Sequence, residues 1–242
     1  MSDAAPPARA FPGAALTRAG LNRHAVFDLA QLPPAIRTTL GPAAAPDAGF
    51  RQLLLLGHAG KALWAAVSQA GVSGPDPIDD YTRQTVADWF ATTLPGHRYR
   101  IVYPGTQPVA LQQLGQLAGW HHATPFMLGI DASWGTWWAY RAVVLADTDF
   151  APFPAVDRSR PENHPCAPCA AKPCITACPA GAMADGSFAL AKCVDDRRQP
   201  ASACAYTCLA RLACPVGSAH RYDSEQLRHS YGISLQTIRE LY

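Results

Sequence analysis

Eight cysteines crowd into residues 166–214, and none lies elsewhere in the 242-residue chain. They form two runs, Cys166-x2-Cys169-x4-Cys174-x3-Cys178-Pro179 and Cys193-x10-Cys204-x3-Cys208-x5-Cys214-Pro215. Thiolates are soft metal ligands, and eight of them make two four-thiolate sites. Closely spaced cysteines on one loop wrap a compact iron–sulfur cubane. A proline after the last cysteine turns the chain away, so that this thiol faces a neighbouring site, as in the bacterial pattern C-x2-C-x2-C-x3-C-P. The spacing here departs from that pattern, with x4 after the second cysteine and a stretched second run, which leaves room for a different cluster type at one site.

Two other chemistries compete. Structural zinc sites show paired, short C-x2–4-C knuckles and do not account for two Cys-Pro endings. Disulfides belong to oxidising compartments, and the N-terminus MSDAAPPARAFPGAALTRAG carries neither a signal-peptide core nor a twin arginine. The spacing favours iron–sulfur over both. Lys172, Arg197, Arg198 and Arg211 lie among the cysteines. They read as a solvated basic face balancing anionic thiolates, with tuning of a cluster or docking of an electron donor as the functional alternative.

Hydrophobic residues make up 49% of the chain and charged residues 16%, with a formal net charge of +2. That suits a globular protein with a real core and gives no argument for nucleic acid or an anionic membrane surface. No apolar run approaches the roughly 20 residues needed to span a bilayer. The expected setting is cytoplasmic, without a membrane or nucleic-acid partner; the oligomeric state is left open.

The elements that must position the cysteines begin with a run of strands and helices. RQLLLLGH (51–58) predicts a buried strand, KALWAAVSQAG (61–71) a helix ended by Gly71, and DPIDDYTRQTVADWFATTL (76–94) a helix with proline and acids in its first turn. HRYRIVYPG (97–105) alternates as a strand, QPVALQQLGQLAGW (107–120) has helical spacing, and PFMLGID (125–131) and WWAYRAVVLAD (137–147) read as two strands around a turn. Four prolines in residues 150–165 suggest a linker. The tail after residue 223 reads as a helix with Leu235, Ile238 and Leu241 on one face. The expected organisation is a loosely ordered segment (1–20), a layered α/β or α+β domain (21–152) and a cysteine module with a helical tail (153–242).

The cysteine module resembles that of epoxyqueuosine reductase, a family with a lone cysteine some fifteen residues after the first Cys-Pro and then a triplet ending in Cys-Pro. The resemblance covers residues 160–217. It implies a ferredoxin-like module with two [4Fe-4S] clusters, one held by Cys166, Cys169, Cys174 and Cys214, the other by Cys178, Cys193, Cys204 and Cys208. Residues 50–147 resemble the same family and also the cobalamin-processing protein CblC. The points of likeness are DPIDDY (76–81), QLGQLAGW (113–120) and WGTWWAYRAVVL (134–145). Both families share a nitroreductase-like α+β core that holds cobalamin without its lower base on cobalt.

On that likeness Met127, Trp134, Trp137, Trp138, Tyr140 and Arg141 are expected to contact a corrinoid, the aromatics as an apolar wall and Arg141 as a polar anchor. Core packing is the competing reading of the same residues. His121 and His122 are candidates for a cobalt ligand, although both families leave the lower face without histidine. His58, after the first strand, is a candidate at a ligand-facing loop. One departure matters: the acidic residue of the reductases' D-S-A-P-V segment, thought to protonate substrate, is absent from the matching Gly105-Thr106-Gln107-Pro108-Val109.

The expected function is an iron–sulfur oxidoreductase that reduces or processes bound cobalamin. Its electrons would come from a flavodoxin, ferredoxin or flavin reductase through two clusters. A ferredoxin-like carrier without corrinoid, and a cobalamin-dependent reductase of a small substrate, are the alternatives.

Overall fold

A computed structural model describes residues 9–45, 48–154 and 164–242. The chain divides into two compact units. One comprises residues up to 118 together with 139–156, and the other residues 119–138 together with 157–242. The segment 119–138 therefore groups with the cysteine-bearing part, a division that a single linear boundary at 152/153 does not contain.

The first unit is built on a four-stranded sheet in the order β1-β2-β4-β3, from β1 (Arg23–Asp28), β2 (Gln52–Ala59), β3 (Tyr99–Tyr103) and β4 (Trp138–Ala146). β1 pairs antiparallel with β2, and β3 antiparallel with β4. Every residue of β2 is buried, as its unbroken leucine run requires of a central strand. Helices α1 (Ala14–Arg18), α2 (Pro34–Thr39), α3 (Ala62–Ala70), α4 (Pro77–Thr93) and α5 (Leu111–Leu117) complete it. Leu54, Leu56, Ala142 and Val144 form one core with Leu63 and Val67 of α3 and Val86, Trp89 and Phe90 of α4. α3 stops at Gly71, whose φ of 64° is left-handed and open to glycine without steric cost. α4 opens on Pro77, with Asp79 and Asp80 in its first turn against the helix dipole.

Several expectations change. α1 gives the segment 1–20 a helix with buried Leu16; residues 1–8 lie outside the described residues. α5 starts at Leu111 rather than 107, because Pro108 lacks the N–H and restricts its predecessor. PFMLGID is not a strand. Pro125 and a left-handed Met127 (φ 64°) bend it into a loop closed by a bridge between His122 and Ile130. The start of the proline-rich stretch is docked: the Phe153 N–H donates to Val26 O at 2.8 Å, and Phe150 is buried. The remainder of that linker reading, residues 155–163, lies outside the described residues.

The described residues after 163 are helices and turns without a strand: α6 (Pro173–Thr176), α7 (Leu190–Arg198), α8 (Leu209–Ala213) and α9 (Ser224–Leu241). The Asp223 carboxylate caps α9 by accepting from the Gln226 N–H at 2.8 Å. Leu235 is buried, whereas Leu241 is 72% exposed and leaves the expected apolar face. No helix among the described residues is long and apolar enough to cross a membrane.

A buried amide ties residues 148–150 to the sheet. Gln52 Nε2 donates to Phe150 O (2.7 Å), while its Oε1 accepts from Thr148 Oγ1 (3.0 Å) and from Phe150 N–H (2.9 Å). Gln52→Leu strands these groups away from water and is expected to lower stability by about 2–4 kcal/mol in chemical denaturation. Loss of less than about 1 kcal/mol would mean the clamp is dispensable.

Candidate metal centre

The eight thiols sort into two sets. Cys166, Cys169, Cys174 and Cys214 line one cavity, of about 40 Å³. Cys178, Cys193, Cys204 and Cys208 line another, of about 140 Å³. Two short helices produce the division. Cys208 is the N-cap of α8 and Cys214 its C-cap, so five helical residues send them to different cavities. At 1.5 Å rise per residue, six steps along a helix separate two positions by about 9 Å. Cys174 lies within α6 and Cys178 just beyond its end, again one to each cavity. α6 packs on α8. Pro179 and Pro215 follow the second member of each pair and keep the helices from continuing.

The electrostatics follow the same division. Burial pushes the Cys166 thiol up, and its further upward influences are Cys214, Cys174 and Cys169. Burial pushes Cys193 up to about 11, with Cys208, Cys178 and Cys204 adding to it against the pull of Arg197. Thiols gathered in this way ionise together only against a cation, which is the condition a metal site supplies. Among the described residues no three His, Cys, Asp or Glu are close enough to hold a single metal ion. Each thiol set surrounds a cavity instead.

The two central arginines are not a solvated face. Arg197, 7% exposed, lines the second cavity. It donates to the carbonyls of Cys204 (3.1 Å), Ala205 (3.3 Å) and Tyr231 (2.9 Å) and to Ser234 Oγ (2.9 Å). One guanidinium thus ties the cysteine loop to α9. Arg211 on α8 donates to Thr136 O at 2.5 Å and lies over the rings of Trp137 (4.3 Å) and Tyr222 (4.8 Å). Lys172 and Arg198 are exposed, as expected of that face.

Arg211 explains why residues 119–138 group with the cysteines, and two glycines complete the join. Gly135 (φ 59°) meets the Val216 carbonyl so closely that a Cβ would overlap it, and Gly217 (φ 65°) meets the Trp134 backbone in the same way. Only residues without a side chain fit this crossing.

The six residues expected against a corrinoid fall in different surroundings. Met127, Trp134, Trp137 and Trp138 belong to the second unit, and Tyr140 and Arg141 to the first. Trp137 is fully buried, with Arg211 and Tyr222 on its ring. Trp138 is 7% exposed and packs edge-on to Trp120 and His121. Met127 is 61% exposed, and Trp134 is half-buried beside His220 (4.3 Å between centroids). Half-buried Tyr140 places its hydroxyl against Gly115. His121 is buried; the half-buried His122 packs edge-on to His164.

A polar cluster in the first unit went unseen in the sequence. His58 is fully buried within β2, and its Nδ1 accepts from Arg141 Nε at 2.9 Å. Arg141 also lies 4.0 Å from the Asp79 carboxylate. Burial pushes the Asp79 carboxyl up, with Arg141 and Arg83 pulling against it and Asp76 and Asp80 adding to it. Burial also raises Tyr103, which feels both Arg141 and Asp79. The signal available was Asp79 in the first turn of α4, and helix-dipole pairing accounted for it without a second role.

No protein-family model matches the chain, and no curated protein matches its sequence. Among solved structures, it is similar to epoxyqueuosine reductase with an epoxyqueuosine-modified tRNA-Tyr stem loop (TM-score 0.54, 11% identity, 89% of this chain and 66% of that one). It is also similar to epoxyqueuosine reductase from Bacillus subtilis (TM-score 0.50, 12% identity, 87% and 66%). The C. elegans B12-trafficking protein CblC overlays with a TM-score of 0.45 at 11% identity, over 91% of each chain. The chain thus spans just under two thirds of the length of these reductases, and at such identity the likeness is one of fold.

Asp79 is expected to titrate above an ordinary aspartate, and Arg141→Gln to raise it further by removing its strongest opposing charge. Because the folded-state value lies above the unfolded one, the protonated carboxyl favours the folded state. That contribution is present below the unfolded value and lost as pH rises through the folded one. Side-chain carboxyl NMR titration reads both shifts; a downward move in the variant contradicts the arrangement.

Proposed function

We propose that this chain is an iron–sulfur corrinoid oxidoreductase that reduces or processes cobalamin. The observation that carries the reading is the sorting of eight thiols into two separate all-cysteine sets around two cavities. The donor chemistry suits iron–sulfur clusters, since each cavity is lined by four thiols, and Asp196, which also lines the second, accepts from Ser202 Oγ at 2.9 Å. Cys166, Cys169, Cys174 and Cys214 would hold one four-iron cluster, and Cys178, Cys193, Cys204 and Cys208 the other.

When bound, the clusters would supply single electrons, and a cobalt centre that accepts them would hold its upper ligand less firmly. The chain's own contribution is position and environment. Arg197 fixes the loop that carries Cys204, and Arg211 fixes the segment 119–138 beside Cys214. Of the residues expected to contact a corrinoid, Met127, Trp134, Tyr140 and Arg141 retain accessible surface, whereas Trp137 and Trp138 support the interior. The apolar contact in the second unit would therefore come from Met127 and Trp134. The finer fold reading, a nitroreductase-like domain followed by a ferredoxin-like module, belongs to this proposal. So do a cytoplasmic setting and a flavodoxin, ferredoxin or flavin reductase as electron donor.

The fold likeness to a tRNA-bound reductase favours one alternative, a cobalamin-dependent reductase with an RNA substrate. Against it, the segment matching the reductases' acidic loop is Gly105–Val109, without a carboxylate.

Anaerobic purification and reconstitution test the proposal. The expected result is about eight irons per chain with a broad charge-transfer shoulder. Cys169→Ala and Cys204→Ala should each retain about half that iron, as two independent four-thiolate sites require. Added cobalamin should show altered corrinoid bands and reduction by a chemical donor. Zinc in place of iron overturns the cluster reading. Iron without any corrinoid change leaves a ferredoxin-like carrier, and binding of tRNA stem loops supports the RNA alternative.

A further inference from the structure

Among the described residues, one side chain is common to the linings of both cysteine cavities: Phe126. It comes from forty residues upstream of the first cysteine and is 7% exposed. It packs in one apolar cluster with Cys174 of the first set, Cys178 and Cys208 of the second, and with Met183 and Ala210, which line the second cavity. Its neighbours divide. Ile130 lines only the first cavity, and Leu128 only the second.

The loop that carries Phe126 is held closed. His122 and Ile130 exchange backbone hydrogen bonds at its base (3.0 and 2.9 Å). Thr124 Oγ1 donates to Leu128 O at 2.7 Å across its tip, and Met127 takes a left-handed φ of 64° there. A non-glycine residue in that conformation is retained where the surrounding structure over-determines it. Phe126 is buried there, while Met127 next to it is 61% exposed.

We infer that Phe126 is the shared dry wall of the two cysteine sites, a positioning residue that keeps water from both clusters at once. The inference rests on the iron–sulfur reading of those sites. Solvent exposure and the apolar shell set a cluster's potential and its lability. Water admitted beside a cluster favours the more negative, reduced state, so it raises the midpoint potential. Truncating Phe126 opens both sites, whereas truncating Leu128 opens one.

The test uses the full chain, reconstituted anaerobically, with Phe126→Ala and Leu128→Ala each made in two backgrounds. Cys169→Ala leaves the second site loaded, and Cys204→Ala leaves the first. The readouts are the midpoint potential, by EPR-monitored titration, and the rate of bleaching under air with chelator. Phe126→Ala is expected to raise the midpoint and to speed bleaching about tenfold in both backgrounds. Leu128→Ala should do so only with the second site loaded. Should the alanine variant not fold, Phe126→Leu reads the same pattern at smaller amplitude. A Phe126 variant that moves one background or neither overturns the inference, as does a Leu128 variant that moves both. A wild-type chain that takes up no iron overturns the cluster reading, and this inference with it.

Discussion

Five residues of helix stand between Cys208 and Cys214, and the organisation of the cysteine-bearing unit depends on that spacer. A longer loop would let both thiols reach one cavity. A rigid turn and a half of helix holds them apart and commits each to a different set. α6 repeats the device with Cys174 and Cys178, and it packs on α8 so that the two dividers brace one another. Around this pair Cys166, Cys169 and Cys204 come from turns and loops, and Cys193 from α7, to complete the two sets.

The cysteine-bearing part supplies Met183, Val194, Ala210, Leu227 and Leu235 to its own interior. It obtains the rest from residues 119–138. Phe126 enters between the sets, and Trp137 fills a core with Tyr222 and Leu227. Arg211 joins this segment to α8 through Thr136, and the glycine crossing at Gly135 and Gly217 allows backbone to meet backbone. Buried guanidiniums are costly unless their donors are satisfied. Arg197 donates to four acceptors and Arg211 to Thr136 O while lying over two aromatic faces, so here charge is used as a fastener. The same placement accounts for the fate of the tryptophans: Trp137 and Trp138 carry the interior, whereas half-buried Trp134 and exposed Met127 keep accessible surface.

The first unit is governed by β2, whose leucines face cores on both sides. Burying a strand so completely leaves His58, at its end, without water. Arg141 answers by donating to it, and Asp79 lies close to the same guanidinium. In this cluster titratable groups from strands and a helix distant in sequence are brought together.

The cysteines, their two Cys-Pro endings, the central leucine strand and helix α4 with proline and acids in its first turn were legible from residue types and spacing, because each rests on local rules: ligand chemistry, strand burial, helix-end preferences. PFMLGID was misread as a strand because its apolar content is real but its purpose is tertiary. Phe126 and Leu128 turn to cavities formed largely by residues some forty to one hundred positions later, and Pro125 and Met127 bend the chain to let them. Arg197 and Arg211 looked like surface charge for the same reason, since their acceptors are carbonyls that only the folded chain brings near. By itself the sequence determined that eight thiols are available in two runs. Which four share a cavity, and which aromatic ring closes both, was decided by the packing of α6 on α8 and by a loop from the preceding segment, because distances across a fold are set by packing and not by position in the chain.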